Sequence, residues 1–365
     1  MTPRNKTGAT YFAKLLLDMP DGWGAVYRPA IHPSSAGPPF CARYFLLRVL
    51  LGWDRRRWVE SLYTGKVWHE IMALIRSSQT VLSACDGVLQ SHTVEMERQI
   101  AEFRAEHPDE KAPLVDKSRK ALALGAALAR TWEEHFPPPA HWQVLAIEKR
   151  FRASLEHIGV GTPLEGTVDL VMFDPETQHV WLTDYKSAAF NVQVRAAGLT
   201  FEAQPLLYRD LWDRATPEYP LYGVIHNIIQ KPTIRQRTKR QPETLDEYVQ
   251  RCAEWFEEQA LTHPAELPFG QSFIGFARPP LCEDTELCAL LRAADRWYSR
   301  PPSLTNFPRC GKASSCIQFG RTCKFMPLCQ QENPNRWHDI LVRNGFGKSS
   351  PDEHATTEAA PGASQ

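Results

Sequence analysis

The sequence contains no apolar stretch near the ~20 residues that a membrane-spanning helix needs, so we expect no membrane partner. It also has no net charge, because 42 Lys and Arg residues balance 42 Asp and Glu residues. A balanced total does not exclude a nucleic-acid partner, since basic residues can cluster locally. The N-terminus holds only a short apolar piece before Pro20 and is a poor signal peptide. These absences predict a cytoplasmic protein.

The nine cysteines are an odd number in a chain without a secretion signal, which favours reduced thiols over a disulfide framework. Four of them are clustered, at Cys310, Cys316, Cys323 and Cys329. Their spacing lacks the short C-x2–4-C pairs typical of structural zinc sites. Thiolates at wider spacing, joined by one remote cysteine, suit an iron–sulfur cluster better. Zinc bound by these four cysteines alone is the alternative.

The order of elements predicts a mixed α/β fold. Residues 1–40 are expected to be irregular, and residues 80–140 form a predicted helical insert without a recognisable motif. From residue 141 the apolar period changes from helical to alternating, which predicts strands. The predicted helices are residues 40–53, 61–75 (with Thr64 and Gly65 before the helix proper), 122–136, 200–214, 244–261 and 284–298, and the predicted strands lie within 143–155, 164–187 and 219–230. We therefore expect one domain over 41–345, with its core at 141–235 and a cysteine-rich segment at 310–329, before a disordered tail at 346–365.

The stretch from Leu164 to Lys186 is predicted to form two strands joined by a turn at Asp174–Thr177. The first strand carries Gly166 and Asp169, and the second carries Asp184 and Lys186. A carboxylate inside the apolar run Val168–Leu170 needs a reason to be there. Two carboxylates and an ammonium group at one edge of a sheet are suited to holding a divalent metal beside a phosphodiester.

Hydrolysis of a phosphodiester needs a cation, a deprotonated water and a stabilised leaving oxygen. Asp169 and Asp184 supply oxygen ligands of the kind that Mg²⁺ or Mn²⁺ prefers, and the backbone carbonyl of Tyr185 adds a third. Lys186 shares a strand face with Asp184, because residues two apart point the same way. An exposed ion pair between Asp184 and Lys186 is the ordinary alternative for so short a motif.

These residues resemble the RecB-like branch of the PD-(D/E)XK nucleases. The match consists of Gly166–Asp169, then Asp184–Lys186, then the Q-x-x-x-Y of Gln204–Tyr208, and upstream the G-x-x-x-H of Gly65–His69. Each motif is weak alone, but four in the right order are specific. The resemblance covers roughly residues 34–335 and implies a restriction-endonuclease-like core, a mixed central sheet flanked by helices.

The resemblance also implies a role for each residue. His69, Asp169, Asp184 and the Tyr185 carbonyl would bind Mg²⁺ or Mn²⁺, and Lys186 would be the catalytic lysine. The remaining pair, Gln204 and Tyr208, would lie one helical turn apart and face the site, although Pro205 between them predicts that the helix starts there. Glu148 on the preceding strand is a weaker candidate.

A subset of RecB-like nucleases, which includes AddB nuclease domains and CRISPR-associated RecB-like exonucleases, carries a four-iron cluster on one upstream and three downstream cysteines. By this resemblance Cys41, Cys316, Cys323 and Cys329 would bind a 4Fe-4S cluster, with Cys310 competing with Cys316. The cluster would join both flanks of the core and act structurally rather than in redox chemistry.

The sequence thus predicts a metal-dependent DNA exonuclease with a cytoplasmic or phage-encoded role in recombination, repair or replication. The alternative is an inactive DNA-binding or interaction protein on a nuclease scaffold. The basic run Lys231–Arg240 is either a phosphate contact or a solvated loop, and Arg43, Arg48 and Arg55–Arg57 are further candidate contacts. No G-x-x-x-x-G-K-[ST] loop is present, so ATP-driven unwinding would require a helicase or recombination partner.

Overall fold

The structure, a computed structural model, describes residues 31, 53–55, 60–106, 115–188, 191–199, 202–234, 237, 243–276, 284–299, 317–318, 321–323, 325–330, 340 and 346–348. The chain divides into two compact units. The first unit comprises residues 1–57, 152–165 and 281–365, and the second comprises residues 58–151 and 166–280. No helix in the described ranges is long and apolar enough to cross a bilayer.

Both helices and strands occur throughout the described chain. The helices are α1 (Glu60–Arg76), α2 (Val81–Glu106), α3 (Val115–His135), α4 (Val192–Leu199), α5 (Gln204–Ala215), α6 (Leu245–Thr262), α7 (Thr285–Tyr298) and α8 (Met326–Gln330). The strands are β1 (Trp53–Arg55), β2 (Gln143–Leu155), β3 (Val160–Asp174), β4 (His179–Ala188), β5 (Leu221–Gln230), β6 (Phe269–Gly275), β7 (Ile317–Gln318), β8 (Arg321–Thr322) and β9 (Phe346–Lys348).

The main sheet has the strand order β2-β3-β4-β5-β6. Strands β3 and β4 are antiparallel, β4 and β5 are parallel, and β5 and β6 are antiparallel. The parallel pair needs a crossover, which contains α4 and α5. The register of the β4–β5 pair places Asp184 opposite His226 and Tyr185 opposite Asn227. The carboxyl ends of β4 and β5 therefore meet at one edge of the sheet.

The core of the second unit joins α1, α3 and α6 to one face of the sheet. Helix α1 buries the stripe Val67, Ile71 and Ile75, whose spacing follows the helical period. Gly125 of α3 allows the close approach of α1, because a Cβ there would lie 2.5 Å from Val67 Cγ1 and 3.1 Å from the backbone oxygen of Thr64. The same packing fixes the position of His69, which lies on α1, relative to the strands of the sheet.

The first unit contains the end of the β2–β3 hairpin, held by α7. Asp295 accepts hydrogen bonds of 2.9 Å from the Thr162 backbone and 2.5 Å from its hydroxyl. Arg292 donates to the Ile158 carbonyl over 2.9 Å. On the other side Ile31 pairs with Leu164 as a parallel bridge. Helix α7 thus fixes the hairpin through polar contacts to its backbone.

The expectation of a mixed α/β fold is confirmed, but several boundaries were wrong. Helix α1 begins at Glu60, so Thr64 and Gly65 lie inside it rather than before it. The sheet has a further strand, β6, beyond the predicted core limit at residue 235. The first three residues of the expected disordered tail, Phe346–Lys348, form β9 paired with β1. Of the predicted helix at 40–53, residues 40–52 lie outside the described residues, and Trp53 begins strand β1 instead.

Candidate metal centre

Strand β4 carries three consecutive residues of the candidate site, Asp184, Tyr185 and Lys186. Since strand side chains alternate, Asp184 and Lys186 share one face of the sheet and the Tyr185 ring lies on the other. The Tyr185 ring centroid lies 5.4 Å from that of Trp68 on α1. This buried contact fixes the backbone of Tyr185 at the edge where the polar residues meet.

Helix α1 places His69 at the Tyr185 carbonyl. The distance from His69 Nε2 to Tyr185 O is 2.9 Å, and that from His69 Nδ1 to Asp169 Oδ2 is 3.5 Å. Asp169, on β3, accepts a 3.0 Å hydrogen bond from the Tyr185 backbone N–H. An imidazole, a carboxylate and a carbonyl from three elements therefore converge on one point.

Glu148 of β2 joins this group. Its Oε1 lies 3.9 Å from His69 Nδ1, and the ligand atoms of His69, Glu148 and Asp169 all lie within 4.8 Å of one another. Glu148 has a φ of 43°, in the left-handed region that a non-glycine residue rarely adopts and that costs about 1–3 kcal/mol. On either side of Glu148, Ala146 and Phe151 are both buried although they are five residues apart. In a regular strand such residues would point to opposite faces, so the alternation of β2 is interrupted between them. The interruption aims the Glu148 side chain at the site.

The donor set fits a hard divalent cation. Two carboxylates and a backbone carbonyl offer oxygen ligands, and His69 offers a nitrogen. Mg²⁺ and Mn²⁺ are bound mainly by oxygen, through one or two carboxylates together with water and substrate phosphates. No cysteine takes part in this group, so its chemistry differs from that of a thiolate zinc site.

When no cation is bound, the charges around the site favour the protonated forms of His69 and Glu148. Burial opposes a charge on His69, but Asp169 and then Glu148 and Asp184 outweigh it and raise its pKa to about 9. Burial, together with repulsion from Asp169, raises the pKa of Glu148 to about 7, against the attraction of His69. A cation would replace these protons as the positive partner of the carboxylates.

We expect metal affinity and metal-free stability to depend on pH in opposite directions. Coordination needs a neutral His69 and an ionised Glu148, so Mn²⁺ affinity should rise as pH increases from about 7 to about 9. Both folded-state pKa values lie above the ordinary ones, so the folded metal-free protein holds more protons. Its free energy of unfolding should therefore fall from pH 4.5 to about 7 through Glu148 and from pH 6.5 to about 9 through His69. Calorimetric Mn²⁺ titrations should show proton release at neutral pH. Thermal melts should show that Mn²⁺ restores the stability that the metal-free protein loses at alkaline pH. Affinity independent of pH would contradict the assigned ligands.

Asp184 lies beside this group with partners of its own. Lys186 Nζ donates to Asp184 Oδ1 over 2.7 Å, and His226 Nδ1 lies 2.9 Å from Asp184 Oδ2. Burial opposes the ionised carboxylate, but His226 and Lys186 outweigh it and lower its pKa to about 2. Asp184 is only 6% exposed, so the exposed ion pair considered from the sequence does not describe it.

Helix α5 extends the polar network from Lys186. The Lys186 ammonium lies 3.3 Å from Gln204 Oε1, and Gln204 Nε2 donates to the Tyr208 hydroxyl over 3.1 Å. The helix begins at Gln204, as Pro205 predicted, and not at residue 200, as the predicted range 200–214 has it. Pro205 lies in the first turn and therefore interrupts no helical hydrogen bond. From the first two turns of α5, Gln204 therefore contacts Lys186, and Tyr208 contacts Gln204.

The structure brings together every candidate of the nuclease motifs, in two adjoining groups. The first holds His69, Asp169 and the Tyr185 carbonyl, and the second holds Asp184, Lys186, Gln204 and Tyr208. Sequence reasoning missed His226, although a histidine inside the apolar strand YGVIHNIIQ was a signal, and it gave Glu148 too little weight.

A family model described as the PD-(D/E)XK nuclease superfamily matches residues 40–290. The chain belongs to this superfamily. The match includes both groups of the site, from His69 on α1 to His226 on β5. Membership in the PD-(D/E)XK superfamily implies a metal-dependent phosphodiester hydrolase that binds DNA and typically uses Mg²⁺ or Mn²⁺. A search of curated proteins returned no match.

The predicted cysteine site falls mostly outside the described residues. Cys41, Cys310 and Cys316 are not among them, and only the backbone of Cys329 is described, in α8. Cys323 follows β8, and its carbonyl accepts a 3.0 Å hydrogen bond from Met326 at the start of α8. Residues 235, 236 and 238–240 of the basic run also lie outside the described ranges, as do the arginines at 43, 48, 56 and 57 and the Arg55 side chain.

Proposed function

We propose that this protein is a RecB-like DNA exonuclease that acts in recombination, repair or replication. The contact between His69 on α1 and the Tyr185 carbonyl on β4 carries the proposal, because it joins the G-x-x-x-H and D-x-K motifs across 116 residues. Superfamily membership supplies the reaction class. Strand separation, where needed, would come from a helicase or recombination partner.

The cation would be held by His69, Asp169, Asp184 and the Tyr185 carbonyl, with Glu148 as a further ligand. When bound, it would neutralise charge on the scissile phosphate and lower the pKa of the attacking water. His69 contacts the carbonyl of Tyr185 and Asp169 contacts its N–H, so the two side chains fix the backbone of one residue and orient this ligand set before substrate arrives.

Lys186 would act as a cation rather than as a base. Burial lowers its pKa, but Asp184 and Asp169 outweigh burial and raise the pKa above the ordinary lysine value. The ammonium group therefore stays protonated at neutral pH and is suited to holding a phosphate oxygen or the leaving oxygen. The Asp184 carboxylate and the side-chain amide oxygen of Gln204 limit where the ammonium can go.

Gln204 and Tyr208 would position Lys186 and the bound strand. Burial raises the pKa of the Tyr208 hydroxyl well above its usual range, so this group remains a neutral hydrogen-bond partner. The chain Tyr208–Gln204–Lys186 fixes the orientation of the Gln204 amide, since its oxygen faces the ammonium and its nitrogen faces the hydroxyl.

Exonuclease action is tested with end-labelled linear DNA and covalently closed circular DNA, single- and double-stranded, in Mn²⁺. Linear substrates should be degraded to short products while circles of the same sequence stay intact. Cleavage of circles at the linear rate would show an endonuclease and overturn this part of the proposal.

We also propose that Cys41, Cys316, Cys323 and Cys329 bind a 4Fe-4S cluster, with zinc as the alternative. In support, residues 1–57 and 281–365 belong to the same unit, and Phe325 and Leu328, which lie between Cys323 and Cys329 in the sequence, are buried. The chemistry of the donor set, four thiolates at wide spacing, fits iron–sulfur ligation.

Cys323→Ser is expected to abolish iron binding and lower the yield of soluble protein, because a metal site that joins distant segments stabilises the fold directly. Cys85→Ser is the matched control, since Cys85 is buried in the core of the second unit and should leave iron content unchanged. The check is iron, sulfide and zinc analysis of anaerobically purified protein. Full iron content in Cys323→Ser, or zinc with no iron in the wild type, would contradict the cluster.

A further inference from the structure

A second concave site lies behind strand β4, on the face of the sheet opposite Asp184. It is a cavity with a volume of about 290 Å³ between the C-terminal end of α3 and the strands β4, β5 and β6. Tyr185 lines it, so one residue contributes its carbonyl to the candidate metal centre and its ring to this cavity. The volume is just below the ~300–1,000 Å³ found for ligand pockets and suits one small ring system.

Aromatic rings form the walls and the mouth of the cavity. Trp132 and Phe136 of the lining stack with centroids 4.5 Å apart and planes 22° apart. Trp142 also lines the cavity, and Phe273 on β6 is 54% exposed at its mouth. Such surfaces are suited to stacking against a flat heteroaromatic ring.

The exposed aromatic surface continues beyond the mouth. Trp181 contacts Phe273 with ring centroids 5.6 Å apart and Tyr222 with centroids 5.1 Å apart. Tyr222 in turn stacks on His179 at 3.6 Å. Gly223 makes room for this row, because a Cβ there would lie 2.7 Å from Trp181 Cζ3. Tyr222 is 47% exposed, and Trp181 and His179 are partly exposed. A row of aromatic rings open to solvent is the arrangement on which successive bases of a single strand stack.

Two buried donors in the cavity lining lack a protein acceptor. Within the described part of the chain, neither Arg76 Nε nor Trp132 Nε1 has a hydrogen-bond partner. The Arg76 side chain is 7% exposed and Trp132 is 1% exposed, so an unpaired donor on either is costly. Neither atom is accessible to water, so these donors lie behind the cavity wall, and the accessible polar side chains of the lining have to recognise the edge of a ligand.

The charge of the site favours a neutral ligand over an anion. Glu133 already neutralises Arg76 through hydrogen bonds of 2.9 and 2.6 Å. At the opposite wall Gln271 donates to Asn227 over 2.9 Å, and both amides line the cavity with further donor and acceptor capacity. A neutral planar ring with both acceptors and donors on its edge is the chemical description of a nucleobase.

We propose that this cavity binds one base of a single-stranded nucleic acid, with the neighbouring bases stacked on the row formed by Phe273, Trp181, Tyr222 and His179. The proposal rests on the nuclease function and extends it, because it assigns a binding site for the strand away from the catalytic edge. Occupation of the cavity would hold the Tyr185 ring and with it the carbonyl of the metal centre.

The test measures binding without catalysis. In EDTA, a labelled short oligothymidylate and an abasic oligomer of the same length are titrated with the full-length protein by fluorescence anisotropy. Stacking and edge contacts should make the base-bearing strand bind roughly 5- to 150-fold more tightly, the range for one base–aromatic stack. Phe273→Ala and Gln271→Ala should each remove much of this difference, while Leu261→Ala, which alters an exposed apolar residue on α6, should not.

The Trp132 indole N–H gives a readout specific to the cavity. Its ¹⁵N–¹H resonance, assigned with Trp132→Phe, should shift on addition of thymidine 5′-monophosphate and not on addition of deoxyribose 5-phosphate. Equal affinity for base-bearing and abasic strands, or an indole resonance unmoved at saturating nucleotide, would overturn the proposal. Both measurements omit the divalent metal, so they can fail while Mn²⁺-dependent cleavage persists, and they can succeed in a protein that does not cleave DNA.

Discussion

Asp169→Asn is expected to lower the rate of Mn²⁺-dependent DNA cleavage by roughly 10³-fold or more, because a carboxylate that positions a catalytic cation and its neighbouring ligands is lost. Asp169 Oδ2 lies 3.5 Å from His69 Nδ1 and accepts the N–H of Tyr185. Asparagine keeps the shape and one acceptor oxygen but removes the charge. Mn²⁺ affinity should fall together with the cleavage rate, and the two are measured by calorimetry and by single-turnover cleavage.

The control for this variant is Asp86→Asn on the exposed face of α2. It makes the same chemical change within the second unit but outside the site, so cleavage and Mn²⁺ affinity should stay at wild-type values. If Asp169→Asn melts at the wild-type temperature and cleaves DNA at the wild-type rate, Asp169 is not a ligand of the catalytic cation.

Lys186→Met should show a different pattern, with cleavage reduced roughly 10²- to 10³-fold, as for loss of one preorganised charge-stabilising group, and Mn²⁺ affinity nearly unchanged. Methionine replaces the stem of the lysine and removes only the ammonium group. Asp184 keeps its 2.9 Å contact with His226, so its carboxylate is not left unpaired. Single-turnover rates at saturating Mn²⁺ separate this loss from a loss of metal.

Lys66→Met on α1 is the matched control, because Lys66 is mostly exposed and lies 3.7 Å from Glu70. It should retain wild-type cleavage. If Lys186→Met cleaves like the wild type, then either contamination supplies the activity or Lys186 has no catalytic part. Asp169→Asn purified in the same way decides between these two explanations, because a contaminating nuclease would cleave DNA in that sample as well.

The sequence predicted the local geometry of β4 correctly because a short-range rule controls it. Residues two apart on a strand share a face, and Asp184 and Lys186 do so with a direct 2.7 Å hydrogen bond. The start of α5 was predictable for a similar reason, since Pro205 is tolerated only in the first turn of a helix. A resemblance to known motifs was needed to connect His69 with these residues, because no local rule joins positions 116 residues apart.

Other parts of the site depend on contacts that local patterns do not record. Glu148 reaches the site through a left-handed φ of 43°, whereas regular alternation along β2 gives no reason to single it out. His226 pairs with Asp184 because β4 and β5 are parallel in one particular register, which is a property of the whole sheet. Likewise, β6 has weak strand character by itself and forms as the edge partner of β5.

The position of a bound cation decides whether this edge of the sheet is a metal centre. Crystals of the protein grown with Mn²⁺ and measured near the manganese absorption edge should show an anomalous peak in contact with His69, Asp169 and the Tyr185 carbonyl. Asp169→Asn crystals grown under the same conditions should lack it. An anomalous peak at other residues of the wild type, with none beside His69, would contradict the assignment of this edge of the sheet as the metal centre.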